Sequence, residues 1–284
     1  MKQQDTVIVT PSGRFTAKRW GSEQGDPLIA LHGWLDNAAS FDPLAPYLDE
    51  FDLVALDLAG HGLSDHRPTG VHYYLVDHVR DVCAVAHALG WPQFALLGHS
   101  LGAAIAVLLA GALPKPVTRL VLIEGLGPLA AEPDESPRHL ARAVIEQSEG
   151  GKKRKPVYAS IEVVAKARQR AGDMSFDAAR ILVARALESC EGGLTWRSDP
   201  RVRWSSPQRF TEAQVQAFVR RIKAPTLLVL GEKGLLATSY PQLLQRASYL
   251  ADREVVWLPG GHHLHMDHPK EMADVINDFL RRRR

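Results

Sequence analysis

A serine between two glycines is the residue whose surroundings most directly predict chemistry. Ser100 lies in the segment 98–102 (GHSLG), which fits the pattern G-x-S-x-G. A strand-like apolar run, 93–97, precedes it and a helix-like apolar run, 101–112, follows it. The glycines remove side chains that would clash on a tight strand-to-helix turn, and such a turn raises the hydroxyl above the strand end. The pattern predicts a nucleophile, with the N–H groups of the following helix start directed at a developing oxyanion.

A histidine-rich segment near the end of the chain supplies candidates for the base. Residues 259–269 read PGGHHLHMDHP and contain His262, His263, His265 and His268. An imidazole can take the proton of a serine hydroxyl and return it to a leaving group. Histidines spaced by one, two and three residues could also supply metal ligands. Because no set of carboxylates and cysteines accompanies these histidines as further ligands, we predict that they bind no metal.

Strand-like runs that alternate with helical stretches must position these residues. The alternation predicts a mostly parallel sheet with helices on both faces. A hairpin is predicted before the first parallel strand. The predicted strands are 5–10, 13–20, 27–31, 52–56, 93–97, 118–123, 225–230 and 254–258, and the predicted helices include 75–89, 101–112 and 270–281.

The pattern changes in a long segment between the strands 118–123 and 225–230. Residues 128–222 contain no convincing strand but do contain helical runs such as 159–171 and 176–188. We therefore predict an α/β core made of residues 1–127 and 223–284. Residues 128–222 form a helical cap in this prediction. A homodimer that pairs through an apolar helix of the cap is an alternative to a monomer.

Composition excludes several other classes of protein. The chain has 284 residues, and 34 Lys+Arg against 32 Asp+Glu give a net charge of +2, which predicts no nucleic-acid partner. The sequence has no charge-free apolar run long enough for a membrane span, and no secretory signal is recognisable at its start. Two cysteines, Cys83 and Cys190, favour a thiol-reducing, cytoplasmic location over a disulfide framework.

Four segments together resemble the α/β-hydrolase superfamily and, within it, the serine-hydrolase-like esterases. They are 31–34 (LHGW), 57–65 (DLAGHGLSD), 98–102 (GHSLG) and 260–263 (GGHH). The resemblance implies the α/β-hydrolase fold: a mostly parallel eight-stranded sheet with helices on both faces and a helical cap inserted after the sixth strand. It also implies a serine hydrolase that needs no cofactor.

The resemblance implies a base but leaves the acid open. In the family the catalytic histidine follows a glycine after the last strand, and a proline opens the final helix seven residues later; this position is His262, with His263 as the alternative. The carboxylate usually follows the seventh strand, at the position occupied here by Gly234. Glu124, at the end of the preceding strand, is our choice for the acid. Glu232 and the absence of any acid remain the alternatives.

The resemblance also indicates how substrate would be held. The backbone N–H groups of Trp34 and Leu101 are the predicted oxyanion hole. His99, Trp196 and Trp204 are the predicted pocket residues, although ordinary burial accounts for the two tryptophans equally well.

The predicted activity is hydrolysis of a small-molecule carboxylic ester through an acyl-enzyme on Ser100. A thioesterase, a C–C bond hydrolase or a perhydrolase would use the same parts. The alternative from another class is a catalytically weakened hydrolase that binds a small ligand as a sensor, because the usual acid position is empty.

Overall fold

The computed structural model describes residues 3–150 and 155–283, and a central sheet organises them. Eight strands form this sheet in the order β1-β2-β4-β3-β5-β6-β9-β10, while β7 and β8 pair separately. The strands are β1 Gln4–Thr10, β2 Gly13–Trp20, β3 Asp26–Leu31, β4 Phe51–Leu56, β5 Phe94–His99, β6 Val117–Ile123, β7 Leu187–Cys190, β8 Gly193–Trp196, β9 Thr226–Gly231 and β10 Arg253–Leu258.

Most strand pairs in the large sheet are parallel. Only the pairs β1–β2 and β2–β4 are antiparallel. The strands β3, β5, β6 and β9 lie side by side, with Leu31 opposite Gly98, His99 opposite Ile123, and Ile123 opposite Val229. Since parallel strands end at a common edge, the segments that follow these four strands meet there, where ligands bind in open α/β sheets.

Helices cover both faces of the sheet, as predicted. One apolar core lies between the sheet and α1, α2 and α6, and the other lies between the sheet and α9. The helices are α1 Leu75–Ala88, α2 Leu101–Ala112, α3 Ser136–Gly150, α4 Ile161–Ala171, α5 Phe176–Ala186, α6 Glu212–Arg221, α7 Leu235–Thr238, α8 Leu264–Asp267 and α9 Pro269–Arg282.

The segment between β6 and β9 differs from the prediction in one respect. The expectation that residues 128–222 contain no strand is wrong, because β7 and β8 form an antiparallel hairpin there. The helix predicted over 176–188 consequently ends at Ala186. Strands of four residues are too short for an alternating pattern to be recognised in the sequence.

The end of the same segment packs with the core. Helix α6 places Val215 and Val219 in the apolar core beside α2, whereas α4 and α5 form smaller apolar clusters of their own. The division into a core and a 128–222 cap remains a prediction.

Two further features concern the class of protein. Cys83 and Cys190 are both free thiols. No helix in the described parts of the chain is long and apolar enough to cross a membrane.

Candidate active site

Ser100 occupies a sharp turn between β5 and α2. Its backbone has φ 52° and ψ −108°. Residues other than glycine rarely adopt a positive φ of this kind. A Cβ added at Gly98 would lie 2.6 Å from the backbone nitrogen of Ala103, and one at Gly102 would overlap the carbonyl oxygen of Leu31. Only glycines at these positions allow the turn, so the G-x-S-x-G pattern has a steric cause.

The two glutamates that could supply the acid, Glu124 and Glu232, lie in different environments. Glu124 is buried, and the Nδ1–H of His262 donates to its Oε2 across 3.3 Å. The side chain of Glu232 is exposed. The two oxygens of Glu124 also accept hydrogen bonds from the backbone N–H groups of Gly231 (2.9 Å) and Leu235 (2.7 Å). These contacts hold the carboxylate in place beside His262.

The Glu124 carboxylate fills the space left by the missing side chain at position 234. A Cβ added to Gly234 would overlap both of its oxygens. Gly234 has φ −74° and ψ 175°, a conformation open to any residue. The glycine is therefore required by the presence of the Glu124 carboxylate.

Ser100 and His262 line one cavity of about 750 Å³. Trp34, Leu101 and Glu124 line it too. The side chain of His262 is 13% exposed. One opening thus gives a ligand access to the predicted nucleophile and base, while the predicted acid lies buried behind the base.

The predicted oxyanion hole lies at the same edge of the sheet. Neither the backbone N–H of Trp34 nor that of Leu101 donates to another residue in the described parts of the chain. Trp34 is 52% exposed as a whole residue, and its indole Nε1–H donates to the carbonyl of Val202 across 2.9 Å. Trp34 therefore connects the β3 end to the segment that follows β8.

The three predicted pocket residues have different positions. Trp204 lines the cavity. Trp196 does not: it packs beside Leu187 and Tyr158, donates from Nε1 to the Tyr158 hydroxyl, and lines a separate cavity of about 450 Å³. The expectation that Trp196 forms the substrate pocket is therefore not met, because the β7–β8 hairpin directs it into packing within the segment.

His99 also lies away from the cavity. It is the last residue of β5, and its side chain is fully buried. Its Nε2–H donates to the carbonyl of His262 across 2.9 Å. Burial and the neighbouring His265 hold the pKa of His99 well below its usual range, so the ring is neutral. The pocket prediction for His99 is corrected: the residue supports the backbone of the His262 loop.

Asp36 is a buried charge that the sequence analysis missed. Its Oδ1 accepts from Arg168 of α4 across 2.6 Å, and its Oδ2 accepts from His263 Nε2–H across 3.3 Å. Burial alone would raise the pKa of Asp36, but His263 and Arg168 hold it well below the usual range. His263, the alternative base, is thus buried and paired with Asp36. Recognising this pair required the long-range contact, since Asp36 is far from His263 in sequence.

Asp36, His99 and His263 have ligand atoms within 4.8 Å of one another. Their atom types suit a transition metal. Arg168, however, already compensates the only carboxylate of this group. The hydrogen bonds of this cluster attach the loop that contains His262 and His263 to the segment that follows β3 and to the end of β5.

A second carboxylate holds the His262 loop. Asp173, in the turn between α4 and α5, accepts the backbone N–H of His262 across 3.2 Å. Asp267 of α8 in turn accepts from the backbone N–H of Ser175 across 3.2 Å. Two hydrogen bonds therefore join the turn between α4 and α5 to the segment around His262 and α8, and each side supplies one donor and one acceptor.

Comparisons with known proteins agree with this architecture. The alpha/beta hydrolase fold family matches residues 26–154. Serine hydrolase-like protein 2 of Homo sapiens is 32% identical over 293 aligned residues, covering 96% of this chain and 92% of the human protein.

Two solved structures superpose over nearly the whole chain. A hypothetical protein of Pseudomonas aeruginosa PAO1 is 46% identical with a TM-score of 0.94, covering 98% of this chain and 99% of its own. A thioesterase domain from the curacin biosynthetic pathway is 25% identical with a TM-score of 0.84, covering 97% and 99%. By its fold and by its full-length relatives, this chain belongs to the serine hydrolase-like family of α/β-hydrolases.

Proposed function

We propose that the protein hydrolyses a carboxylic ester, or a related acyl substrate such as a thioester, through an acyl-enzyme on Ser100. The observation that carries the proposal is the contact between His262 Nδ1 and Glu124 Oε2, beside Ser100 in one open cavity. A carboxylate that accepts from Nδ1–H leaves Nε2 unprotonated, and Nε2 is the nitrogen that can take a serine proton.

Each step then has a residue. The Ser100 oxygen attacks the carbonyl carbon while His262 Nε2 takes the hydroxyl proton. The N–H groups of Trp34 and Leu101 stabilise the oxyanion, a contribution of about 3 kcal/mol for one such donor. Collapse of the intermediate expels the alcohol or thiol, which receives the proton from His262. Water repeats the sequence on the acyl-enzyme, releasing the acid and restoring Ser100.

Glu124 has two roles in this scheme. It keeps His262 in the required tautomer, and its negative charge stabilises the imidazolium that forms after proton transfer. Its own negative charge is held by the N–H groups of Gly231 and Leu235. Glu124 therefore serves as the acid without any carboxylate at position 234.

Hydrolysis of p-nitrophenyl esters, with acyl chains from two to twelve carbons, tests the proposal. We expect turnover that falls by about 10³-fold or more in Ser100→Ala. Labelling of Ser100 by a fluorophosphonate probe is a second test that does not depend on choosing the right ester. Turnover that persists in Ser100→Ala would contradict the mechanism, and a folded protein that neither labels nor turns over would support the sensor alternative.

A further inference from the structure

The cavity beside Ser100 has an excess of positive charge. Three arginines line it, Arg142, Arg203 and Arg209, and all three are exposed. Among the described lining residues the only carboxylate is Glu124, which already holds His262 and two backbone N–H groups. The arginines therefore lack a matching acidic partner on the cavity wall.

One of the three arginines is paired outside the wall. Arg142 of α3 bonds to Glu146 one turn further along the helix, at 2.8 Å. Arg203 and Arg209 make no ion pair or side-chain hydrogen bond with any residue in 3–150 or 155–283. Two guanidinium groups at one cavity thus have unused donors.

The backbone beside Arg203 is anchored to the core. The carbonyl of the preceding residue, Val202, accepts from the Trp34 indole, and the backbone N–H of Asp199 donates to Gly60 across 3.0 Å. Trp34 also supplies a predicted oxyanion N–H. Arg203 consequently has a defined backbone position relative to the reaction centre, which a freely moving surface arginine would not have.

The remaining wall is largely apolar. Leu126, Leu129, Phe210 and Leu243 contribute to it. An extended apolar chain fits such a wall. Guanidinium groups bind carboxylate, sulfate and phosphate oxygens through paired, charge-assisted hydrogen bonds.

We propose that the acyl substrate carries an anionic group, separated from the scissile carbonyl by an apolar spacer, and that Arg203 and Arg209 bind this group. The inference rests on the proposed hydrolysis at Ser100 and adds the charge of the substrate. Carboxylate, sulfate and phosphate share the chemistry that the two arginines recognise.

Matched esters test the charge directly. One series has an acyl chain ending in a carboxylate, such as the mono-p-nitrophenyl ester of octanedioic acid, and the other has the corresponding primary amide. In a second arm, acyl-coenzyme A of similar chain length places phosphates on the leaving group, and the uncharged N-acetylcysteamine thioester of the same acyl chain is its neutral member. We expect kcat/KM to be about tenfold higher for the charged member of the favoured arm, equivalent to about 1.4 kcal/mol. The preference should fall at high salt because both arginines are exposed.

Two substitutions and one control assign the effect. Arg203→Gln and Arg209→Gln together should reduce the preference, which is the ratio of kcat/KM for the charged ester to that for its amide, to about one. Arg170→Gln removes an exposed arginine of α4 that does not line the cavity, and should leave the preference intact. A carboxylate preference with no coenzyme A preference places the anion on the acyl arm, and the reverse places it on the leaving group.

Equilibrium binding separates this inference from the proposed reaction. The titration of octanoic acid and of octanamide into Ser100→Ala, followed by tryptophan fluorescence, measures charge recognition without turnover. Tighter binding of the acid that disappears in the double arginine variant supports the inference even if no ester is hydrolysed. Equal kcat/KM and equal affinity for charged and neutral members in every arm, or a preference that survives the double variant, would overturn it.

Discussion

An aspartate placed after β9 should be able to replace the carboxylate that the proposed triad has at the end of β6. Glu124 projects from the end of β6 into the space that a side chain at position 234, after β9, would occupy. We expect Glu124→Ala to reduce kcat by about 10³- to 10⁴-fold, because His262 loses both its tautomer control and its counter-charge. Adding Gly234→Asp to that variant should recover at least about 10²-fold.

The geometry of position 234 supports this recovery. Its φ of −74° and ψ of 175° accept an aspartate without strain. The Cβ would lie within the volume vacated by the Glu124 carboxylate, whose Oε2 accepts from His262 Nδ1–H, so we expect the new carboxyl group to lie within reach of Nδ1. Alanine retains the Cβ of Glu124, whose φ is 50°, so the substitution adds no new backbone strain there.

The assay is kcat and KM on an ester that the wild-type protein hydrolyses, with fluorophosphonate labelling as a second readout. Gly234→Asn in the Glu124→Ala background is the matched control, since it has the shape of aspartate without the charge, and should not recover activity. Glu232→Gln should remain within about twofold of wild type, because its side chain is exposed. A folded Glu124→Ala protein with normal kcat, or Gly234→Asn recovering as much as Gly234→Asp, would refute the reasoning.

Three further predictions use contacts around the site. Gly102→Ala should destabilise the fold by about 3 kcal/mol in urea unfolding, because the new methyl group overlaps a backbone carbonyl of β3. Asp173→Gly should lower kcat about fivefold with little change in melting temperature, because it removes the acceptor of the His262 N–H; unchanged kcat would contradict this role. Burial holds the pKa of His61 and of His265 at about 3, so below about pH 6.5 the unfolded chain binds protons that the folded protein does not. The free energy of unfolding should therefore fall by about 2 kcal/mol per histidine between pH 7 and pH 5, and equal stability at the two pH values would contradict the burial argument.

The central strands of the sheet were predictable because they are buried on both faces. The segments 27–31 and 120–123 are continuous apolar runs, and the structure has strands over Asp26–Leu31 and Val117–Ile123. Their length favours strands, because a buried helix needs a run of about ten residues or more. The β7–β8 hairpin was missed because its pairing stabilises strands that are too short to leave a pattern.

The position of His99 shows where a motif is insufficient. The pattern G-x-S-x-G associates His99 with Ser100, but His99 still belongs to β5. All six residues of β5 are buried, so a side chain at the end of this strand is buried on whichever face it lies. The apolar run 94–97 was available in the sequence and is typical of a strand buried on both faces, which indicates the buried position of His99.

The charge of the cavity could not be predicted, because it depends on which ions are paired in three dimensions. Arg142 and Arg203 are both exposed arginines in the same segment, and nothing in their composition separates them. Helical spacing places Glu146 next to Arg142 and compensates it, whereas Arg203 lies in a 3-10 turn with no acidic neighbour on the cavity wall. The sequence has a net charge of only +2, yet three arginines and one carboxylate line the described wall of the cavity beside Ser100. A near-neutral protein can therefore select an anionic substrate, because a cavity binds through its local field and not through the net charge of the chain.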